Sequence, residues 1–351
     1  MLARVTHLLP LTTIRRQRTL PINGRVLVRS GQKVTATDII ADARLGKDHL
    51  LLDISRGLGL PSSQVDKYIV RKEGDKIASG DIIAGPVGVF QRTVRSPKDG
   101  SLVAVGGGQV LLEQEGTILE LRAGLSGTVI DLIPDRGAII ETQGALIKGV
   151  WGNNRIEAGV LTALARSPED ELTVERLDVS QRGAIILGGL CTQAEVLRMA
   201  AEIPLRALIL ASLTPNLISM AAQTPVPILV LEGFGRLPLN SITFKILSSN
   251  DKRDICLNTA PWSRVNGTRP ELVLPLPTSG QIPAPLDSNA FVAGQPVKII
   301  RAPYTGQIAT LVSLCSGLTS FPSGIRAPAA IIRLESVDQV PAPLANLEVI
   351  A

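Results

Sequence analysis

Residues 30–41 are written a second time at 73–84, in register and without a gap: Gly31, Lys33, Asp38, Ile39, Ile40 and Ala41 return as Gly74, Lys76, Asp81, Ile82, Ile83 and Ala84. A segment used twice must fold in the same way twice. Its pattern is a glycine turn, a short strand, a second turn at the aspartate and another strand. Glycine supplies the positive φ that tight turns need, and aspartate bonds its own neighbouring amides. The duplication constrains architecture and carries no reactive group.

The surroundings of both copies are β-like, and residues 20–160 read as one β-rich domain. Leu20–Val28 alternates apolar and polar residues, a helical insertion falls near Leu51–Leu58, and Pro61–Tyr68 has a proline start and serine cap. Val94–Val103 gives a strand, a Pro-Lys-Asp-Gly turn and a strand, and Gly124–Ile133 repeats the theme. Residues 1–19, containing Arg15-Arg16-Gln17-Arg18, read as a basic N-terminal tail.

From 172 to 275 the period changes. Continuous apolar runs at Ala184–Leu187, Ala207–Leu213 and Pro227–Leu231 alternate with helical stretches at Thr192–Ile203, Pro215–Gln223 and Ser241–Leu247. A strand near Asp254–Leu257 completes the alternation. Buried strands between helices imply a small parallel sheet covered on both faces, a Rossmann-like α/β domain. A Pro-rich linker follows at 276–289, and 290–351 is β again. The fold class is therefore multidomain, β plus α/β.

The alternating turns of 20–160 resemble the barrel-sandwich hybrid of biotinyl and lipoyl carrier domains. A carrier of that family needs a hairpin-tip lysine, usually between methionines. The only methionines are Met1, Met199 and Met220, so the resemblance is to non-carrier versions, with Lys33 and Lys76 as solvated turn residues. Gly294–Val312 resembles a KOW motif, although Ala309 stands where that family usually has glycine. The resemblance implies a C-terminal SH3-like barrel docking to RNA, ribosomes or RNA polymerase, with Lys298, Arg301 and Tyr304 as candidate partner contacts. Residues 20 to about 155 and the turn Glu232–Gly235 also resemble uncharacterised bacterial proteins associated with glutamate mutase L.

Ligands of open parallel sheets bind beyond the carboxyl ends of the strands. Those ends carry Gly188, Gly189, Ser212, Glu232, Gly233 and Gly235, the candidate ligand-binding residues. No nucleotide-binding glycine motif occurs, no base accompanies Cys191, and His7 and His49 are remote from it. No catalytic residue, metal ligand or cofactor is assigned. Three scattered cysteines fit a reducing cytoplasm. Aromatics at 3% leave little for base stacking, and a net charge of +5 permits weak attraction to nucleic acid or anionic membrane without requiring it. The N-terminal apolar run is too short for a signal sequence, and no stretch is long enough to span a membrane.

The reading is a non-catalytic scaffold or binding protein that docks to a protein complex or to RNA backbone. The alternative is an accessory protein of a cofactor-dependent enzyme, such as a cobalamin-dependent mutase, with a small-ligand site in the α/β domain.

Overall fold

A computed structural model describes residues 2–6, 8–114, 116–263, 268–276, 278, 280, 282–285, 289–335 and 339–350. It is mostly β, with strands in several sheets. The chain divides into two compact units, Leu20–Arg25 with Ala41–Glu120, and the remainder.

The smaller unit holds a four-stranded antiparallel sheet in the order Asp48–Asp53, Gln109–Gln114, Gly100–Gly106, Lys76–Ile77. A hairpin, Ile82–Val87 with Arg92–Arg95, accompanies it. Ile54, Leu58, Val65, Ile83, Leu102 and Leu112 fill its core. The helix Ile54–Leu58 is short because both ends are stopped. The Asp53 carboxylate accepts the Arg56 amide at 2.9 Å, and Gly59 closes the helix with φ of 69°.

The duplicated segments make matching hydrogen bonds. The Gly31 amide donates to Val129 O at 2.7 Å and the Val129 amide to Gln32 O at 2.9 Å; the Gly74 amide donates to Leu102 O at 2.8 Å and the Leu102 amide to Asp75 O at 3.0 Å. Asp38 accepts from the Thr35 amide and Asp81 from the Ala78 amide. Both first glycines have positive φ, 82° and 88°. Along the chain the second copy with its partner strand lies inside the first. The pairing order is nested, not tandem.

In the larger unit, Ile156–Ala163, Ile185–Cys191, Ala207–Leu213 and Ile228–Phe234 are parallel neighbours. Alternation along them feeds two cores. Ile185, Leu187 and Ile209 face one with Leu247 and Leu257, while Ile186, Leu208 and Leu210 face the other with Val196, Leu197 and Ala221. Burial on both faces is why these strands read as continuous apolar runs. Asp254–Asn258 departs from the expected parallel order, pairing antiparallel with Ile156–Ala163 and then with Glu271–Pro275. The strand Ile156–Ala163 also runs through residue 160, where the sequence places the end of the β domain.

Residues 1–19 are not a tail where the structure describes them. Leu8–Thr19 is a twelve-residue strand antiparallel to Gly137–Lys148, with Ile14 fully buried. Leu2–Thr6 joins a seven-stranded sheet with Leu347–Ile350, Pro296–Ile299, Ile308–Ser320 and Arg326–Leu334. The basic run is engaged: Arg15 pairs with Glu141, and Arg16 makes two bonds to Glu271, at 2.7 and 2.6 Å. Of the expected linker, residues 277, 279, 281 and 286–288 lie outside the described residues. Its Ile282 and Pro283 carbonyls accept from the Thr13 and Thr12 hydroxyls.

Candidate functional site

The carboxyl ends of the parallel strands bring together most of the residues that the sequence singles out, and the chain itself fills the space beyond them. At Gly189, with φ of 78°, an added Cβ would lie 2.2 Å from the Asp170 carbonyl; at Gly188 it would lie 2.6 Å from Leu172 Cδ2. The Leu190 amide donates to Asp170 O and the Leu172 amide to Leu190 O, both at 2.8 Å. These glycines therefore admit the neighbouring backbone. Ser212 is also committed: its hydroxyl donates to Gly235 O at 2.9 Å and accepts the Leu237 amide at 3.0 Å. Gly235 returns a bond to Leu213 O, and Gly233 packs under Leu237.

Charges around this edge are paired. Glu171 accepts from the Thr192 hydroxyl and from Arg236 at 3.0 Å. Asp170 accepts from the Arg166 amide at 2.7 Å and from Arg176 at 3.2 Å. These donors hold both carboxyls below their ordinary range, the Arg166 amide weighing most for Asp170 and the Thr192 hydroxyl for Glu171. Burial pushes the Cys191 thiol up to about 12, and the side chain packs in the apolar core with Val196 and Leu213.

The sequence assigns Glu232 and Lys298 to different functions, a ligand site and a docking surface. The structure joins them. Lys298 Nζ lies 2.5 Å from Glu232 Oε2, with the lysine side chain 9% exposed and the glutamate 0%. Glu232 Oε1 accepts from the Asn240 amide at 3.1 Å and from Asn240 Nδ2 at 2.5 Å. Asn240 in turn caps the helix Ser241–Ser248 through the Thr243 amide. The docking role expected for Lys298 is corrected by its burial: a buried charge needs a partner, and Glu232 provides it. Tyr304 is half-buried against the core of the C-terminal sheet, whereas Arg301 is exposed.

Sequence reasoning also misses Arg269–Glu348, a half-buried pair in this unit, at 3.4 Å. Each partner lies far away along the chain, so no spacing announces it. His7 lies outside the described residues, and His49 Nε2 is 3.6 Å from Glu113.

Open space lies elsewhere. In the smaller unit a cleft of about 870 Å³ is lined by Lys47, Lys76, Ser79, Lys98, Asp99 and Glu113. Lys47 bonds Glu113 at 2.6 Å and Asp99 accepts the Ser79 amide at 2.6 Å, so much of its polar lining is self-satisfied. Exposed apolar residues gather at hairpins: Val89 and Phe90 on one, and Leu314, Leu318 and Ile325 on another. Among the described residues, no group of three or more His, Cys, Asp or Glu could hold a metal ion, and no helix is long and apolar enough to cross a membrane. No family model matches the chain, and no curated protein matches it.

Proposed function

We propose that the protein is a non-catalytic, multidomain scaffold that docks to a protein complex through its β modules. The observation that carries this reading is the hairpin Ile308–Ser320/Arg326–Leu334. Between Arg301 and Arg326 there is no charged residue. Leu314, Leu318 and Ile325 on this hairpin are 50%, 55% and 62% exposed. Pairing with Pro296–Ile299 ends at Thr310. Beyond Leu311, which bonds Gln295, the outer edge of the strand has no partner strand among the described residues. An uncharged, apolar edge accepts an extended protein segment as an added strand. The absence of cations along it favours protein over RNA backbone, which is bound mainly by Lys and Arg.

The module assignments belong to the same proposal. The nested duplication supports a barrel-sandwich hybrid of the non-carrier type, and the parallel strands with helices on both faces support a Rossmann-like domain. The antiparallel strands Pro296–Ile299 and Ile308–Ser320 support a KOW/SH3-like barrel. The test is a pull-down from the native host with and without RNase, comparing the natural chain with Leu314→Lys/Leu318→Lys. RNase-resistant capture lost in the variant supports docking at this edge. Capture abolished by RNase, or unchanged in the variant, overturns it.

A further inference from the structure

The geometry points to a shallow membrane anchor in the smaller unit: the hairpin tip Val89-Phe90, which inserts into an anionic lipid surface. Val89 and Phe90 are 96% and 87% exposed. The chain has only five Phe, and one of them stands at a tip where no fold requires it. The four-residue turn 88–91 is closed by the Gln91 amide on Gly88 O at 3.1 Å, with both residues at positive φ. Its base is rigid. Val94 packs against Gly57, where an added Cβ would meet Val94 Cγ2 at 2.5 Å, and the Arg92 guanidinium lies over Gly59 at the end of the helix Ile54–Leu58.

Charge selects the occupant. No acidic residue occurs between Asp81 and Asp99, and of the cations in that interval Arg92, paired with Val87, stands beside the tip. The helix packed on the hairpin has Arg56 as its only charge. The nearby acids are engaged: Asp53 caps that helix, Asp66 accepts the Gly107 and Gly108 amides, and Asp81 pairs with Arg71 at 3.4 Å. An apolar point with a cationic base complements lipid tails beneath anionic headgroups. A nucleic acid would use the arginines but leave Val89 in water, and a folded partner would need a pocket for a convex tip. Two apolar side chains anchor weakly, so binding depends on both insertion and charge.

The test uses the full chain in co-sedimentation with phosphatidylcholine vesicles, with and without phosphatidylglycerol, and in a parallel assay with single-stranded RNA. The expected result is salt-sensitive binding to the anionic vesicles, reduced about tenfold or more by Val89→Ser/Phe90→Ser, with thermal unfolding unchanged. Phe90→Trp should show a blue-shifted emission on adding the same vesicles, beyond any change in the natural chain. No binding to anionic vesicles, equal binding by the double variant, an unshifted emission from the tryptophan variant, or tip-dependent binding to RNA in place of vesicles would each overturn the anchor.

Discussion

Lys298 and Glu232 form an ion pair with both side chains buried, Nζ to Oε2 at 2.5 Å. It ties the strand Pro296–Ile299 to the end of Ile228–Phe234, and the second carboxylate oxygen passes the connection to Asn240 and its helix.

Breaking that pair from one side leaves a buried charge without compensation. Lys298→Met should destabilise the larger unit by about 3–5 kcal/mol. Lys298→Met/Glu232→Gln should recover much of the loss, because the amide keeps an acceptor for Asn240 and carries no charge. Denaturant unfolding of both variants and the natural chain checks this. A double variant as unstable as the single one would show that the charges are not coupled.

Gly189→Ala places a methyl where the Asp170 carbonyl already lies and forces a side chain onto positive φ. The strained conformation alone is worth about 1–3 kcal/mol, and the clash adds to it. Gly74→Ala should cost less, since nothing lies within 4 Å of an added Cβ and only the φ of 88° opposes it. Thermal unfolding of the two variants gives the ranking.

Asp38, Asp170 and Glu171 all titrate below their ordinary range: the Thr35 amide and then its hydroxyl hold Asp38 down, and the Arg166 amide and Thr192 hydroxyl lead for the other two. A depressed folded-state pKa stabilises above the unfolded value and loses that contribution as pH falls through the folded one. Stability should therefore be flat near neutrality and decline below about pH 4. In Asp170→Asn the acid slope should be shallower, measured by urea unfolding across an acid pH series.

Thiol reactivity should separate the three cysteines. Cys191 and Cys256 are buried with raised pKa values, desolvation being the main cause for each, and Cys256 donates to Ser126 Oγ at 3.2 Å. Cys315 is half-buried on the exposed hairpin. An aromatic disulfide reagent at mildly alkaline pH should modify Cys315 first, and the others only after unfolding. Peptide mapping of the modified chain reads the order.

The duplicated turns are legible in the sequence because their signal is local: Gly31 and Asp38 perform within a few residues the same tasks as Gly74 and Asp81. The buried strands Ile185–Cys191 and Ala207–Leu213 are legible because burial on two faces leaves no polar position. Leu8–Thr19 is hidden by its own arginines, whose partners Glu141 and Glu271 lie far along the chain. The candidate site fails for a related reason. Glycines at strand ends look alike whether they admit a ligand or, as at Gly188 and Gly189, another stretch of the same backbone. Lys298 between Val297 and Ile299 looks solvent-facing until a distant carboxylate meets it.

The strand Leu2–Thr6 lies in a parallel ladder with Leu347–Ile350, Arg4 opposite Glu348 and Val5 opposite Val349. One of these strands leaves the ribosome long before the other. The first must wait, with its partner not yet made, while the smaller unit already has every contact of its own core within 41–120. Long-range pairing of this kind folds slowly. During synthesis the early strand is an unpaired edge that needs protection from other nascent chains until Leu347–Ile350 arrives.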